Sequence, residues 1–236
     1  MAKPKKNTQA WAITYADMVT LLLTFFVLLM VILSEAEKQI DYQISKLLDK
    51  AHEQMLDGLD DKNIDVERVT KGVKVTIRGK LFDQLSPNIS PEYLPKIARI
   101  GDLMKNTDIM KIDLTSLPDS SDENFTLMSE LNNRGKELAV EIRCEGHTDD
   151  APIPPDKKIK YRDNWELSSQ RSLNVVKQMN RYASIDYEYF SALGYGPYRP
   201  IISVETIKSK KTRREKDRLR EYNRRVEIYL DAFARD

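Results

Sequence analysis

The stretch WAITYADMVTLLLTFFVLLMVIL, Trp11 to Leu33, organises the chain around it. It is 23 residues long and holds a single charge, Asp17. At 1.5 Å per residue such a helix reaches about 34 Å, enough for a hydrocarbon core of about 30 Å. Residues 1–10 carry Lys3, Lys5 and Lys6 and no acid, and from Ser34 onward the chain is polar to its end. The pattern is a basic tail (1–10), one membrane-spanning helix (11–33) and a soluble body. Trp11 and Tyr15 suit a membrane interface, and lysines before the span place the N-terminus in the cytoplasm and the body in a periplasm-like compartment. A cleaved signal peptide competes, with Ser34-Glu35-Ala36 as a loose cleavage site. Against it, the uncharged run Met18–Leu33 is long for a signal sequence and has an acid at its threshold.

The remaining composition excludes several classes. Lys+Arg is 38 and Asp+Glu 37, so no bulk basic charge points to nucleic acid. Charged residues make up 32% and mean hydropathy is −0.54, which excludes a polytopic membrane protein. Cys144 is the single cysteine, so there is no intrachain disulfide and no cysteine zinc cluster. No HExxH, GxSxG, P-loop or GxGxxG pattern occurs. His147, Asp149 and Asp150 lie close in sequence, but the other histidine, His52, is remote; no metal site and no enzyme activity is expected.

Asp17 is the most informative residue. An acid inside a membrane helix costs at least ~2.5–3.5 kcal/mol, so it faces a protein interior or a water-filled path, or reaches for water near an interface. Thr20 and Thr24 lie at i+3 and i+7 from it and make one polar stripe with it. Each threonine can equally bond the backbone of its own helix. The stretch from Trp11 through Leu29, above all Tyr15-Ala16-Asp17 and Phe25-Phe26-Val27-Leu28, resembles the membrane helix of the MotB family of flagellar stator proteins and its sodium-type relatives. The resemblance implies that Asp17 carries the translocated ion, with Thr20 and Thr24 as candidates along its path.

Beyond the span, residues 34–64 read as an amphipathic helix followed by a turn-rich break. Ile40, Ile44, Leu47, Leu48, Ala51 and Met55 recur at helical spacing. The face needs a partner; a linker helix or short coiled coil would supply one. The stator resemblance implies instead a plug that closes the ion channel through Ile40, Ile44, Leu47, Leu48 and Ala51.

Residues 65–236 read as an α+β domain. Strands are expected at Val73–Ile77, around Val140–Cys144, near Tyr187–Leu193 and at Val226–Leu230. Ser90-Pro91 is expected to start a helix, with Pro95 awkward inside it. Leu117–Asn124 reads as loop, Phe125–Leu138 as a short helix, and Asn164–Tyr182 as a longer one.

Four stretches in order, Glu145–Asp149 (EGHTD), Asn164–Arg171 (NWELSSQR), Leu193–Gly196 (LGYG) and Asn223–Ile228 (NRRVEI), resemble the OmpA-like peptidoglycan-binding domain, a β/α sandwich of helices on a mixed sheet. Asp–Arg chemistry suits a zwitterionic, amino-acid-like head, since a carboxylate accepts from an ammonium and a guanidinium grips a carboxylate. The resemblance implies that Asp149 and Arg171 hold the diaminopimelate of the stem peptide, with Thr148, Asn164, Leu167 and Arg224 in the same site. Together the two resemblances imply the B subunit of an ion-driven stator in the bacterial inner membrane. They imply two copies in a pentameric ring of MotA-type subunits, H+ or Na+ as the translocated ion, and no cofactor. A plain membrane-anchored wall tether and a non-flagellar ion-driven complex are the alternatives. Lys208–Arg220, with eight basic and two acidic residues, reads as a solvated, partly helical face or as a contact for anionic wall or lipid.

Overall fold

The computed structural model describes residues 10–82, 86–114, 125–154 and 161–235. The expected loop at Leu117–Asn124 lies outside them. The chain divides into two compact units, Met1–Tyr42 and Gln43–Asp236.

In the first unit, helix α1 (Ala10–Gly58, continuing into the second) exposes every residue from Trp11 to Leu33. It is long and apolar enough to cross a membrane by length and composition. No proline or glycine interrupts it before Gly58, so nothing breaks the backbone ladder.

The second unit is built on a sheet of order β1-β2-β5-β3-β4. These strands are β1 (Ile64–Val69), β2 (Gly72–Arg78), β3 (Glu137–His147), β4 (Phe190–Gly196) and β5 (Arg225–Arg235). β3 and β4 are parallel and every other pair is antiparallel. β1 adds a strand that the sequence reading did not assign. On one face, Val75 and Cys144 both pair with Ile228, and Ile142 pairs with Leu230; all are fully buried. Helices α2 (Leu94–Lys105) and α5 (Asn164–Ala183) supply buried Ile97, Ile100, Met104, Val175, Val176 and Met179.

Two close approaches fix α5 on the sheet. A Cβ at Gly146 would lie 2.2 Å from the Ser168 carbonyl oxygen, and one at Gly194 would lie 2.4 Å from the Ser169 nitrogen. Only glycine lets this helix lie so close to β3 and β4. The start of α5 is capped by Asp163, whose carboxylate accepts from Glu166 N at 2.9 Å. Its end is closed by Ser184 in a left-handed conformation, φ 53°.

Three local expectations shift. Ser90 precedes a 3-10 turn, Pro91–Tyr93, and α2 starts after it with Pro95 in its first turn, where a missing N–H costs nothing. The helix expected over Phe125–Leu138 is α4 (Phe125–Asn133). It ends because Gly135 turns at φ 65°, and Leu138 already belongs to β3. The strand expected from Tyr187 opens as a 3-10 turn, Tyr187–Tyr189, closed by Tyr189 N donating to Asp186 O. α3 (Asp108–Leu114) was not anticipated.

The 43–58 part of α1 belongs to the second unit, although the sequence reading starts the domain at residue 65. Ile44, Leu47, Leu48, Ala51 and Met55 are buried. Arg68 of β1 donates to Asp49 at 2.7 Å and to Ser45 Oγ at 3.0 Å.

Candidate functional site

The site assembles where β3 ends and α5 begins. β3 delivers Thr148 and Asp149; the first turns of α5 deliver Asn164, Leu167 and Arg171. Thr148 N donates to Gly196 O at 3.0 Å, tying the loop to the end of β4. The Thr148 hydroxyl is buried without a hydrogen-bond partner among the described residues. Asp149 Oδ1 accepts from Ala151 N at 3.1 Å, and Asn164 Nδ2 donates to Ala151 O at 2.9 Å, so the asparagine straps the loop to the helix. Residues 155–160, including Pro155 of the proline-rich loop, lie outside the described residues.

Asp149 meets Arg224 directly: Arg224 Nη1 donates to Asp149 Oδ2 at 2.6 Å. Arg171 lies deeper, 6% exposed, with Nε donating to Ser86 O at 3.1 Å and its guanidinium 4.8 Å from the centre of the Phe82 ring. Burial pulls Arg171 down to about 10, opposed by the nearby Asp149 carboxylate. It therefore stays charged at neutral pH. Asp149 thus pairs with the Arg224 guanidinium and acts electrostatically on that of Arg171, with a 13% exposed side chain that leaves an edge open to solvent. Leu167 is buried with Ile153 and Tyr161, under the loop rather than at its surface.

Two residues that the sequence reading did not place in the site, Asp150 and Arg220, hold this corner. Arg220 grips Asp150 with two bonds, 2.7 and 3.1 Å. That contact holds the Asp150 carboxyl below the usual carboxylate range. Arg220 lies on α7 (Arg213–Asn223), so this helix is fastened to the Asp149–Asp150 loop. The signal was the Asp149-Asp150 doublet facing a basic run, but the pairing spans 70 residues and no local pattern reveals it.

The opposite face of the sheet carries a buried polar cluster. Glu145 and Glu227 are direct cross-strand partners, and His147 Nε2 lies 3.8 and 3.7 Å from their carboxylates. Three such groups within 4.8 Å resemble a metal-ligand set. Both acids are already engaged, however. Arg225 Nε donates to Glu227 at 2.6 Å, Tyr229 OH donates to it at 2.7 Å, and Arg143 binds both Glu145 and Asp231. The local charge is balanced, and a divalent cation would have to displace arginines. Burial pulls His147 down to about 4, so it is neutral at pH 7, stacked 5.5 Å from Tyr195.

In the first unit, Asp17 is exposed on α1. Thr20 and Thr24 donate to the backbone oxygens of Asp17 and Leu21 at 2.8 and 2.9 Å. Of the plug candidates, Ile40 falls in this unit, while Ile44, Leu47, Leu48 and Ala51 fall in the second.

Residues 1–51 match the family model described as membrane MotB of the proton-channel complex MotA/MotB, and residues 109–214 match the OmpA family. The chain thus joins a MotB-type N-terminal segment to an OmpA-family domain. Motility protein B of Bacillus subtilis is 25% identical over 98% of this chain and 96% of its own length. The uncharacterised protein YtxE of the same organism is 24% identical over 97% and 90%. Among solved structures, a MotB-like protein from Desulfovibrio vulgaris shares the fold with TM-score 0.55 and 18% identity, covering 83% of this chain and 94% of that one. The OmpA-family match spans the Asp149 loop and the first turns of α5, and the MotB match spans Asp17.

Proposed function

We propose that this chain is the B subunit of an ion-driven flagellar stator, in which Asp17 carries the ion and the OmpA-family domain grips peptidoglycan. The observation that carries the reading is Asp17 itself, the single charge in the 23-residue apolar span of a chain whose other end holds the Asp149–Arg171–Arg224 site. A torque generator needs both parts, because an ion-driven step does work only against something fixed. The helix lies in the inner membrane with its N-terminus in the cytoplasm and the domain in the periplasm. Two copies sit inside a pentameric ring of MotA-type subunits. No cofactor is used. The translocated ion is H+, in keeping with the matched family's description as part of a proton-channel complex. Neutralising Asp17 removes the cost of a charge facing an apolar ring and lets the ring step.

At the other end, Asp149 receives the ammonium of diaminopimelate and Arg171 its carboxylate, with Arg224 sharing Asp149. Thr148 and Asn164 shape the loop, and Leu167 supports it from below. The Thr148 hydroxyl, buried and without a hydrogen-bond partner among the described residues, is a donor and acceptor for a bound stem peptide.

Ion flux tests the reading. The chain is co-expressed with its A-type partner, and cytoplasmic pH and sodium are recorded after a gradient is imposed. Influx that disappears in Asp17→Asn is expected. Influx unchanged by the substitution sinks the ion-carrier role, and an assembled complex that conducts nothing even with residues 36–56 deleted to open the plug leaves a wall tether without transport.

A further inference from the structure

The thirteen residues Lys208–Arg220 hold eight basic and two acidic residues, while the rest of the chain carries 30 basic against 35 acidic. A chain of formal charge +1 therefore concentrates a charge of +6 in one segment and leaves a body of −5. The segment spans the end of α6 (Val204–Ser209) and most of α7. Lys208, Lys210, Lys211, Arg213, Arg214 and Arg218 are all exposed. α7 is rigidly started by a capping box: Thr212 accepts from Glu215 N at 3.2 Å, and Glu215 accepts from Thr212 N at 3.3 Å. Six like charges on two short helices, with Lys210 and Lys211 between them, repel one another, and the internal acids answer only in part. Asp217 lies 3.8 Å from Arg213 and 3.6 Å from Arg220.

We infer that α7 and its leading turn form a second binding surface for a linear phosphodiester polyanion of the cell wall, beside the Asp149 site. The inference rests on the proposed wall-anchoring role of that site. Position supports it: Arg220 on α7 pairs with Asp150, and Arg224 just beyond α7 pairs with Asp149, so whatever meets the loop meets the helix. Composition separates wall polymer from lipid. A helix that lies in a membrane surface needs an apolar face to bury. Between Arg213 and Asn223 the apolar side chains are Leu219 and Tyr222 alone. Such a surface binds by charge, through release of counterions from a polyanion, and its affinity falls with salt in proportion to the number of charges engaged.

The test uses the full chain in neutral phosphatidylcholine nanodiscs and labelled poly(glycerol phosphate) as the probe, titrated at several salt concentrations. The comparison is a variant carrying Lys210→Gln, Lys211→Gln, Arg214→Gln and Arg218→Gln, which leaves Arg220 and Arg224 in place. Wild type binds with a steep salt dependence; the variant binds roughly tenfold or more weakly, with a shallower slope. Equal affinity in both proteins, or no binding by wild type, overturns the inference. Capture of phosphatidylglycerol vesicles without capture of the polymer also overturns it, in favour of a lipid surface. The anchoring role is read separately, by sedimentation with peptidoglycan stripped of phosphodiester polymers. Asp149→Ala loses that sedimentation and keeps polymer binding. If wild type binds the polymer but not stripped peptidoglycan, the anchoring role fails and the polyanion surface stands.

Discussion

Arg224 Nη1 lies 2.6 Å from Asp149 Oδ2, so the carboxylate that we propose receives a ligand ammonium is already held by a guanidinium from the far end of the domain. Arg224 is the more exposed partner, its side chain 40% accessible against 13% for Asp149. An ion pair this open contributes about 1 kcal/mol or less to stability. It serves to aim Asp149, and it can rearrange when a ligand ammonium arrives.

Asp149→Asn should therefore separate binding from folding. The amide keeps the turn bond from Ala151 N but loses the charge that an ammonium requires. Sedimentation with purified peptidoglycan should fall at least about tenfold, since a charge-assisted bond is worth about 1.5–3 kcal/mol. The melting temperature should change little. Arg171→Ala should lose both, because its aliphatic stem is buried and its Nε holds Ser86 O. Wild-type sedimentation by Asp149→Asn would remove the residue from the site.

Stability should fall as the medium turns acidic, through His147. Burial lowers this imidazole from 6.5 to about 4 in the folded domain. Between those values the unfolded chain binds the proton and the folded chain does not, so stability rises with pH across that window. Below about 4 the folded form is protonated too and the loss is complete, at most about 3 kcal/mol. Denaturant titrations at pH 7, 6 and 5 check this. His147→Gln should flatten the slope over that range whatever it does to absolute stability; an unchanged slope would assign the acid sensitivity to other groups.

Gly146→Ala should be severe. The added methyl would stand 2.2 Å from the Ser168 carbonyl oxygen, a backbone atom that cannot swing away. Either α5 lifts from the sheet or β3 bends, and overpacking of this kind costs about 1–3 kcal/mol or more. Because α5 carries Asn164 and Arg171, peptidoglycan binding should fall together with the melting temperature. Gly135→Ala, with nothing within 4 Å but a positive φ of 65°, should cost only backbone strain, about 1 kcal/mol.

Much of this site was legible in the chain. Alternation at Val140, Ile142 and Cys144 marks β3, and the Thr-Asp pair follows where that strand must end. Asn164, Leu167 and Arg171 recur at helical spacing and so share one face of α5. What spacing cannot give is pairing across distance. Arg220 with Asp150, and Glu227 with Glu145, meet only after the sheet has closed. The apolar face of residues 43–58 illustrates the same limit. Its period announces that it needs a partner, but nothing local says that the partner is the chain's own domain.

That last point has a measurable consequence. Leu48 is 1% exposed and Met55 fully buried, so truncating either to alanine should destabilise the domain by about 2–5 kcal/mol. Asp49→Ala on the same turn should cost about 1 kcal/mol or less, since its pair with Arg68 is open to water. A deletion across 36–56, made to open the proposed plug, would also remove Leu48 and Met55 from this core. Thermal unfolding of the Gln43–Asp236 unit is the readout; an unaffected melting temperature in Leu48→Ala would mean that the segment adds nothing to this core.

The threonines beside Asp17 invite the final comparison. Thr20 Oγ1 donates to the backbone oxygen of Asp17 at 2.8 Å, and Thr24 Oγ1 to that of Leu21 at 2.9 Å. Each donated proton is spent within the helix, but a hydroxyl oxygen keeps lone pairs that can accept from water or coordinate an ion. Thr20→Val removes that oxygen while keeping the shape. If the polar stripe smooths the ion's approach, flux should fall by less than about tenfold, the scale of a hydrogen bond worth about 1 kcal/mol. Asp17→Asn should abolish flux outright, because no other carboxylate lies in the span. Equal damage from both substitutions would mean that the hydroxyl and the carboxylate share the ion; no effect from Thr20→Val would leave Asp17 as the single carrier on the helix.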